Sequence, residues 1–136
     1  MDSMATALRR VLEIIRDNRE DEAPVFAAIL EQAASLCNVP YAGLALVDAS
    51  GTELVYAASH GAALPSSRVG ARSWPIVPRS AMGQAVLAKC PVRVDDLKDS
   101  DDYRNGVPSR VRSVDEDGIR SFMVVPLLLD GRAIGT

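Results

Sequence analysis

Apolar residues recur at helical spacing in two stretches near the start of the chain. In residues 4–16, Met4, Leu8, Val11, Leu12 and Ile15 share one side, with Arg9, Arg10, Glu13 and Arg16 opposite. That spacing predicts an amphipathic helix with a narrow apolar stripe. The stripe fits a helix packed on its own domain and equally one shared with a partner chain. A polar break over residues 17–22 follows, and Pro24 suits the first turn of a second helix. Val25, Phe26, Ile29, Leu30, Ala33, Leu36 and Cys37 repeat on one face of it. Asn38 is expected in the left-handed region at its end, and Pro40 prevents continuation. The period then changes to two. Residues 42–48 and 53–60 read as strands of a hairpin through Ala49-Ser50-Gly51, with Leu44, Leu46, Leu54 and Tyr56 alternating with smaller residues.

Residues 62–78 are punctuated by Pro65, Gly70, Pro75 and Pro78 and read as irregular. A short helix is predicted over 80–89, with Ser80 as its N-cap and Gly83 marking close approach of another backbone. Pro91 ends it, and 92–94 is a short strand. Residues 107–117 predict a further short helix, with Pro108 at its start and Gly118 as its stop. The last stretch, 119–136, holds two apolar runs, 122–129 and 132–136, around Asp130-Gly131. An Asp-Gly pair between apolar runs predicts a type I′ hairpin, because both central residues need positive φ. The first run is apolar at both alternating sets, which predicts a central strand covered on both sides. Pro126 interrupts it and belongs at a bulge or an unpaired stretch. The second run stops five residues after the turn, so the chain is expected to be a piece of a longer protein.

Composition narrows the class. The 136 residues suit one domain, and 48% hydrophobic with 24% charged residues is ordinary for a globular fold. Aromatics make up only 4%, so Leu, Val, Ile and Ala must build the core. A net charge of −3 argues against nucleic acid as a partner. No apolar run approaches the length of a membrane span or of a signal peptide's core. The expected location is cytoplasmic. Two cysteines without metal-ligand spacing suggest neither a disulfide framework nor a zinc site.

Candidate chemistry is sparse. His60 is the one histidine, with no acid or cysteine beside it, and reads as a loop residue rather than a base or ligand. Cys37 lies on the predicted apolar helix face and reads as a small buried hydrophobe. Residues 95–102 hold five acids in eight positions, a solvated loop lacking the Gly and terminal Glu of an EF-hand. Arg110 and Arg112 point to different sides of their helix, where each either reaches an anionic ligand or balances nearby acids. Trp74 either plugs the core edge or lines a cavity.

The ordered blocks VFAAILEQAASLC, YAGLALVDASGTELVYAASHG, SAMGQAVLAKCPVRVDDL and GIRSFMVVPLLLDGRAIGT resemble a GAF domain, especially those of bacterial sensor histidine kinases and nucleotide cyclases. The resemblance covers residues 24–136, and LRRVLEIIRDN looks like the linker helix that precedes such modules. It implies an α+β fold: a central antiparallel β-sheet flanked by helices, with a cavity roofed by residues 62–118. Residues 1–22 would be the signalling helix and 23–136 the domain, without the final helix that closes the family's fold and pairs in its dimer. The implied function is non-catalytic sensing. A small ligand would bias the roof, and terminal helices would carry that bias to an output domain such as a histidine kinase or nucleotide cyclase. A homodimer through those helices is implied with it. The resemblance places Trp74, Met82, Tyr103, Val111, Arg112 and Ser121 around the ligand. Cys90 is followed by Pro91-Val92 rather than histidine, so bilin attachment is not expected, and no Asn-Lys-Phe-Asp-Glu signature of cyclic-nucleotide binding is present. His60 lies outside the roof helices where a haem ligand would be needed. The family's free methionine sulfoxide reductases use roof cysteines, and here Met82 and about Asp115 stand in their places. A thioether cannot replace a thiolate nucleophile. The alternatives are an interaction or dimerisation module without ligand and a Cys90-based redox sensor.

Overall fold

The structure, a computed structural model, describes residues 3–17, 21–61 and 73–136. Two helices open the chain, α1 (Ser3–Asp17) and α2 (Glu22–Cys37), and they pack against each other. Asp21 caps α2, its carboxylate accepting from the Ala23 N–H at 3.1 Å. Asn38 closes it in the left-handed region at φ 53°, as expected, and the Val39 N–H reaches the Ala34 carbonyl at 3.0 Å. The buried face of α2 is Ala28, Leu30 and Ala34, rotated from the one predicted. Ala33, Leu36 and Cys37 are exposed. Cys37 is therefore not a buried hydrophobe. The helix lies between α1 and the sheet, and small alanines serve that close approach better than the larger residues of its last turn.

The hairpin of β1 (Ala42–Val47) and β2 (Glu53–His60) forms as predicted, with His60 as the last strand residue rather than in the loop. Asp48 organises its turn, accepting from the Ser50 hydroxyl at 2.6 Å and the Gly51 N–H at 3.1 Å. These bonds, the Ser50 one foremost, hold the Asp48 carboxyl below the usual carboxylate range. Register slips inside the pair: Leu44 faces Ala58 while Ala45 faces Tyr56, so Ala57 is an extra residue on β2. Such a bulge changes which face the following residues occupy. Leu44 and Ala58 join Leu30 of α2 in the core, with Phe26, Leu46 and Leu127 around them. Ala45 and Tyr56 fall on the opposite face.

Five strands make the main sheet in the order β3-β2-β1-β7-β6, where β3 is Ser73–Pro75, β6 Leu127–Leu129 and β7 Arg132–Gly135. β3 shows that the predicted irregular region contains a short strand; residues 62–72 lie outside the described residues. The remaining elements are α3 (Ala81–Ala88), β4 (Val92–Val94), a 3₁₀ turn (Leu97–Asp99), α4 (Asp101–Arg104), α5 (Pro108–Asp115) and β5 (Phe122–Val124). α3 contacts β7, β4 and β5.

The Asp130-Gly131 turn has φ of 51° and 77°, as a type I′ turn requires. The run before it differs from expectation. Residues 122–129 are not one central strand: they divide at Val125-Pro126 into β5, paired with β4 in a two-stranded ribbon, and β6, the edge of the main sheet. Proline has no N–H to give a ladder, so one continuous strand cannot pass through Pro126. Coverage on both sides is absent as well, since Met123, Val125, Leu128 and Leu129 are 47–58% exposed.

Candidate functional site

The sheet face turned away from α2 carries the polar groups of interest. The bulge at Ala57 aims Tyr56 there. Its ring lies over Gly43, where an added Cβ would sit 2.7 Å from a ring carbon, so only glycine leaves it room. The Tyr56 hydroxyl donates to the Met82 sulfur on α3 at 3.7 Å. Thioethers are weak acceptors, so this half-buried phenol keeps most of its hydrogen-bonding capacity for another partner.

Met82 is held by the start of α3. Ser80 caps the helix, its hydroxyl accepting from the Gly83 N–H at 2.9 Å, as the sequence predicts. Gly83 rests on the backbone of Val77: an added Cβ would lie 2.6 Å from the Val77 nitrogen and closer still to its carbonyl oxygen. The close approach expected from that glycine is present.

Asp117 follows α5 and is the buried ionisable residue of the described part, 9% exposed. Its N–H bonds the Arg112 carbonyl at 3.1 Å. Burial, and then the Asp117 charge, push the Tyr56 phenol above its ordinary value. The two groups therefore feel each other across the site. Arg112 is half-buried in the last turn of α5, and its Nε is fully buried without a hydrogen-bond partner among the described residues. Arg110 lies over the Phe122 ring, 5.8 Å from its centroid.

Around this centre the roof is tied by polar contacts. The Tyr103 hydroxyl donates to Asp115 at 2.9 Å, joining α4 to α5, and Asp115 raises the Tyr103 phenol. All five acids of residues 95–102 meet an arginine: Asp95 with Arg93, Asp96 with Arg120, Asp99 and Asp101 with Arg104, and Asp102 with Arg79. Between them Leu97 is 1% exposed, and its N–H bonds the Arg120 carbonyl at 2.7 Å. The acidic stretch is thus solvated outside and anchored inside.

Of the residues expected around a ligand, Met82 lies against Tyr56, and Arg112 and Val111 are half-buried on α5. Tyr103 is engaged with Asp115, and Ser121 is exposed before β5. Trp74 pairs with Leu54 in β3, and its side chain lies outside the described residues. Tyr56 and Asp117 were not among them. The bulge that turns Tyr56 leaves no mark in the hydrophobic alternation, and Asp117 reads as one more acid before a helix-stopping glycine. Both cysteines are exposed. Among the described residues no three His, Cys, Asp or Glu side chains gather as a metal site would need. A phenol, a thioether, a carboxylate and a guanidinium suit reversible holding of a small polar molecule.

Residues 21–136 match the family model of the GAF domain. Among solved structures the chain is similar to the GAF domain of a Coxiella burnetii phosphoenolpyruvate-protein phosphotransferase, with a TM-score of 0.68, 18% identity, and coverage of 99% of this chain and 76% of that one. It is also similar to free methionine-R-sulfoxide reductase from Neisseria meningitidis, with a TM-score of 0.64, 24% identity, and coverage of 99% and 72%. The GAF-B domain of DevS from Mycobacterium smegmatis gives 0.58 and 24%, covering 85% of this chain and 69% of that one. These likenesses establish the α+β fold with its antiparallel sheet. No curated protein matches.

Proposed function

The chain belongs to the GAF domain family, and on that footing we propose that it is a non-catalytic sensory module that binds one small ligand on the Tyr56 face of its sheet. GAF domains are commonly regulatory modules of signalling proteins. The observation that carries the reading is the half-buried Tyr56 hydroxyl, whose contact is a weak thioether acceptor at 3.7 Å and whose phenol feels the charge of the buried Asp117. A phenol drawn from water against so weak an acceptor costs stability unless something satisfies it. Ligand binding would act through the short roof elements α3, α4 and α5. It shifts their arrangement only as far as the ligand prefers one state over another. Residues 1–22 are the proposed signalling helix, connected in a longer cytoplasmic protein to an output domain such as a histidine kinase or nucleotide cyclase, with a homodimer formed through terminal helices.

Catalysis is not part of this reading. The similar reductase acts on free methionine sulfoxide, whereas thiol chemistry here would have to use Cys37, the last residue of α2, or Cys90, just beyond α3, both exposed. An exposed Cys90 thiol meets one requirement of a redox sensor. An interaction module is favoured by the exposed Leu12, Met123, Leu128 and Leu129. A thermal-shift screen against a library of small metabolites separates these. The sensory reading expects a compound that raises the melting temperature of the wild-type protein by several degrees and raises that of Tyr56→Phe much less. Equal shifts in both proteins would remove Tyr56 from the site.

A further inference from the structure

Sequence leaves Arg110 and Arg112 equivalent as anion partners, and the structure separates them. The Arg110 guanidinium is placed over the Phe122 ring at 5.8 Å, with its charge facing an aromatic surface. Arg112 is different. Its Nε has lost contact with water and has no hydrogen-bond partner among the described residues. Charged donors are seldom left so, because each buried N–H given up to nothing loses its hydration without return. Arg112 also sits in the last turn of α5, where its carbonyl accepts the N–H of the buried Asp117 at 3.1 Å, so its backbone is tied to the residue whose charge Tyr56 feels.

We infer that Arg112, and not Arg110, is the residue that receives an anionic oxygen of the ligand, with its Nε–H as a donor. The inference rests on the proposed sensory reading and narrows it to ligands bearing a carboxylate or a phosphate. Both groups match the planar donor fork of a guanidinium.

The test is a titration of the ¹⁵N-labelled full chain with sodium acetate and, separately, sodium phosphate, against sodium chloride at equal ionic strength. The Arg112 Nε–Hε resonance is identified by its loss in Arg112→Lys, and Arg110→Lys identifies the other. The expected result is a saturable downfield shift of the Arg112 signal with one anion, little movement of the Arg110 signal, and no comparable change with chloride. A carboxylate ligand is assigned if acetate alone acts, and a phosphate ligand if phosphate alone acts. Arg112 signals that move no further with either anion than with chloride would overturn the inference, as would a saturable shift at Arg110 instead. Native mass spectrometry of the purified protein keeps the two readings apart. A retained molecule without an anionic oxygen would overturn the role of Arg112 and leave the sensory reading standing.

Discussion

Tyr56 shows how far one side chain depends on its neighbours. Its phenol is raised first by burial and second by the Asp117 charge, so the folded chain keeps it neutral beyond its ordinary value of 10.0. The sign follows directly: the contribution is intact below that value and is lost as pH rises through the higher folded one. Asp117→Asn should move the Tyr56 titration, followed by phenolate absorbance, downward but not to the ordinary value, because burial remains. A return to the ordinary value would mean that Asp117, not burial, dominates. Gly83 gives a second prediction. A methyl group there meets the Val77 backbone, which cannot swing aside as a side chain would. Gly83→Ala should cost about 3 kcal/mol in urea unfolding, the upper end for overpacking. Gly83 was legible as a close approach because a glycine inside a short helix has few other reasons to be there. Asp117 was not, since its burial is decided by tertiary packing and acids crowd that part of the chain.

Among the elements, short-range signals came through and long-range ones did not. The Asp130-Gly131 turn, the Asn38 and Ser80 caps and the first hairpin all depend on a few adjacent residues, and all formed. The run 122–129 misled because a doubly apolar pattern does not reveal that Pro126 divides it between two sheets. The acidic stretch hid Leu97, a lone apolar residue among charges that anchors the roof at 1% exposure. Leu97→Ala should cost about 2–4 kcal/mol, while exposed Lys98→Ala should lie within about 0.5 kcal/mol of wild type. Equal effects would mean that the 3₁₀ turn is not an anchor. At the hairpin, Asp130→Val places a β-branched residue at φ 51° and should cost about 1–2 kcal/mol, with Asp130→Asn near neutral. Beside Leu97, the Asp96 carboxyl is held below its usual range by Arg120 first. That contribution is present above the ordinary carboxylate value and is lost as pH falls through the lower folded one. Arg120→Gln should flatten this part of the acid-unfolding profile.

At the scale of the molecule, α2 packs on one face of the antiparallel sheet with α1 outside it, and short, separately tied elements adjoin the sheet through α3. The first side is built from apolar packing. The second depends on polar contacts such as Tyr103–Asp115 and Arg79–Asp102, and among the described residues it leaves the buried Arg112 Nε without a partner and Tyr56 with a weak one. A signalling module would gain from that division, because a ligand could alter the loosely tied layer while the core stays fixed. The central claim is that this layer holds a ligand. Its most direct measurement is the mass of freshly purified protein under native and then denaturing conditions. The account predicts a stoichiometric excess in the native mass that disappears on denaturation and is absent from the Arg112→Gln protein. A native mass equal to that of the bare chain would contradict it, while an excess that survives in Arg112→Gln would contradict the role of Arg112 alone.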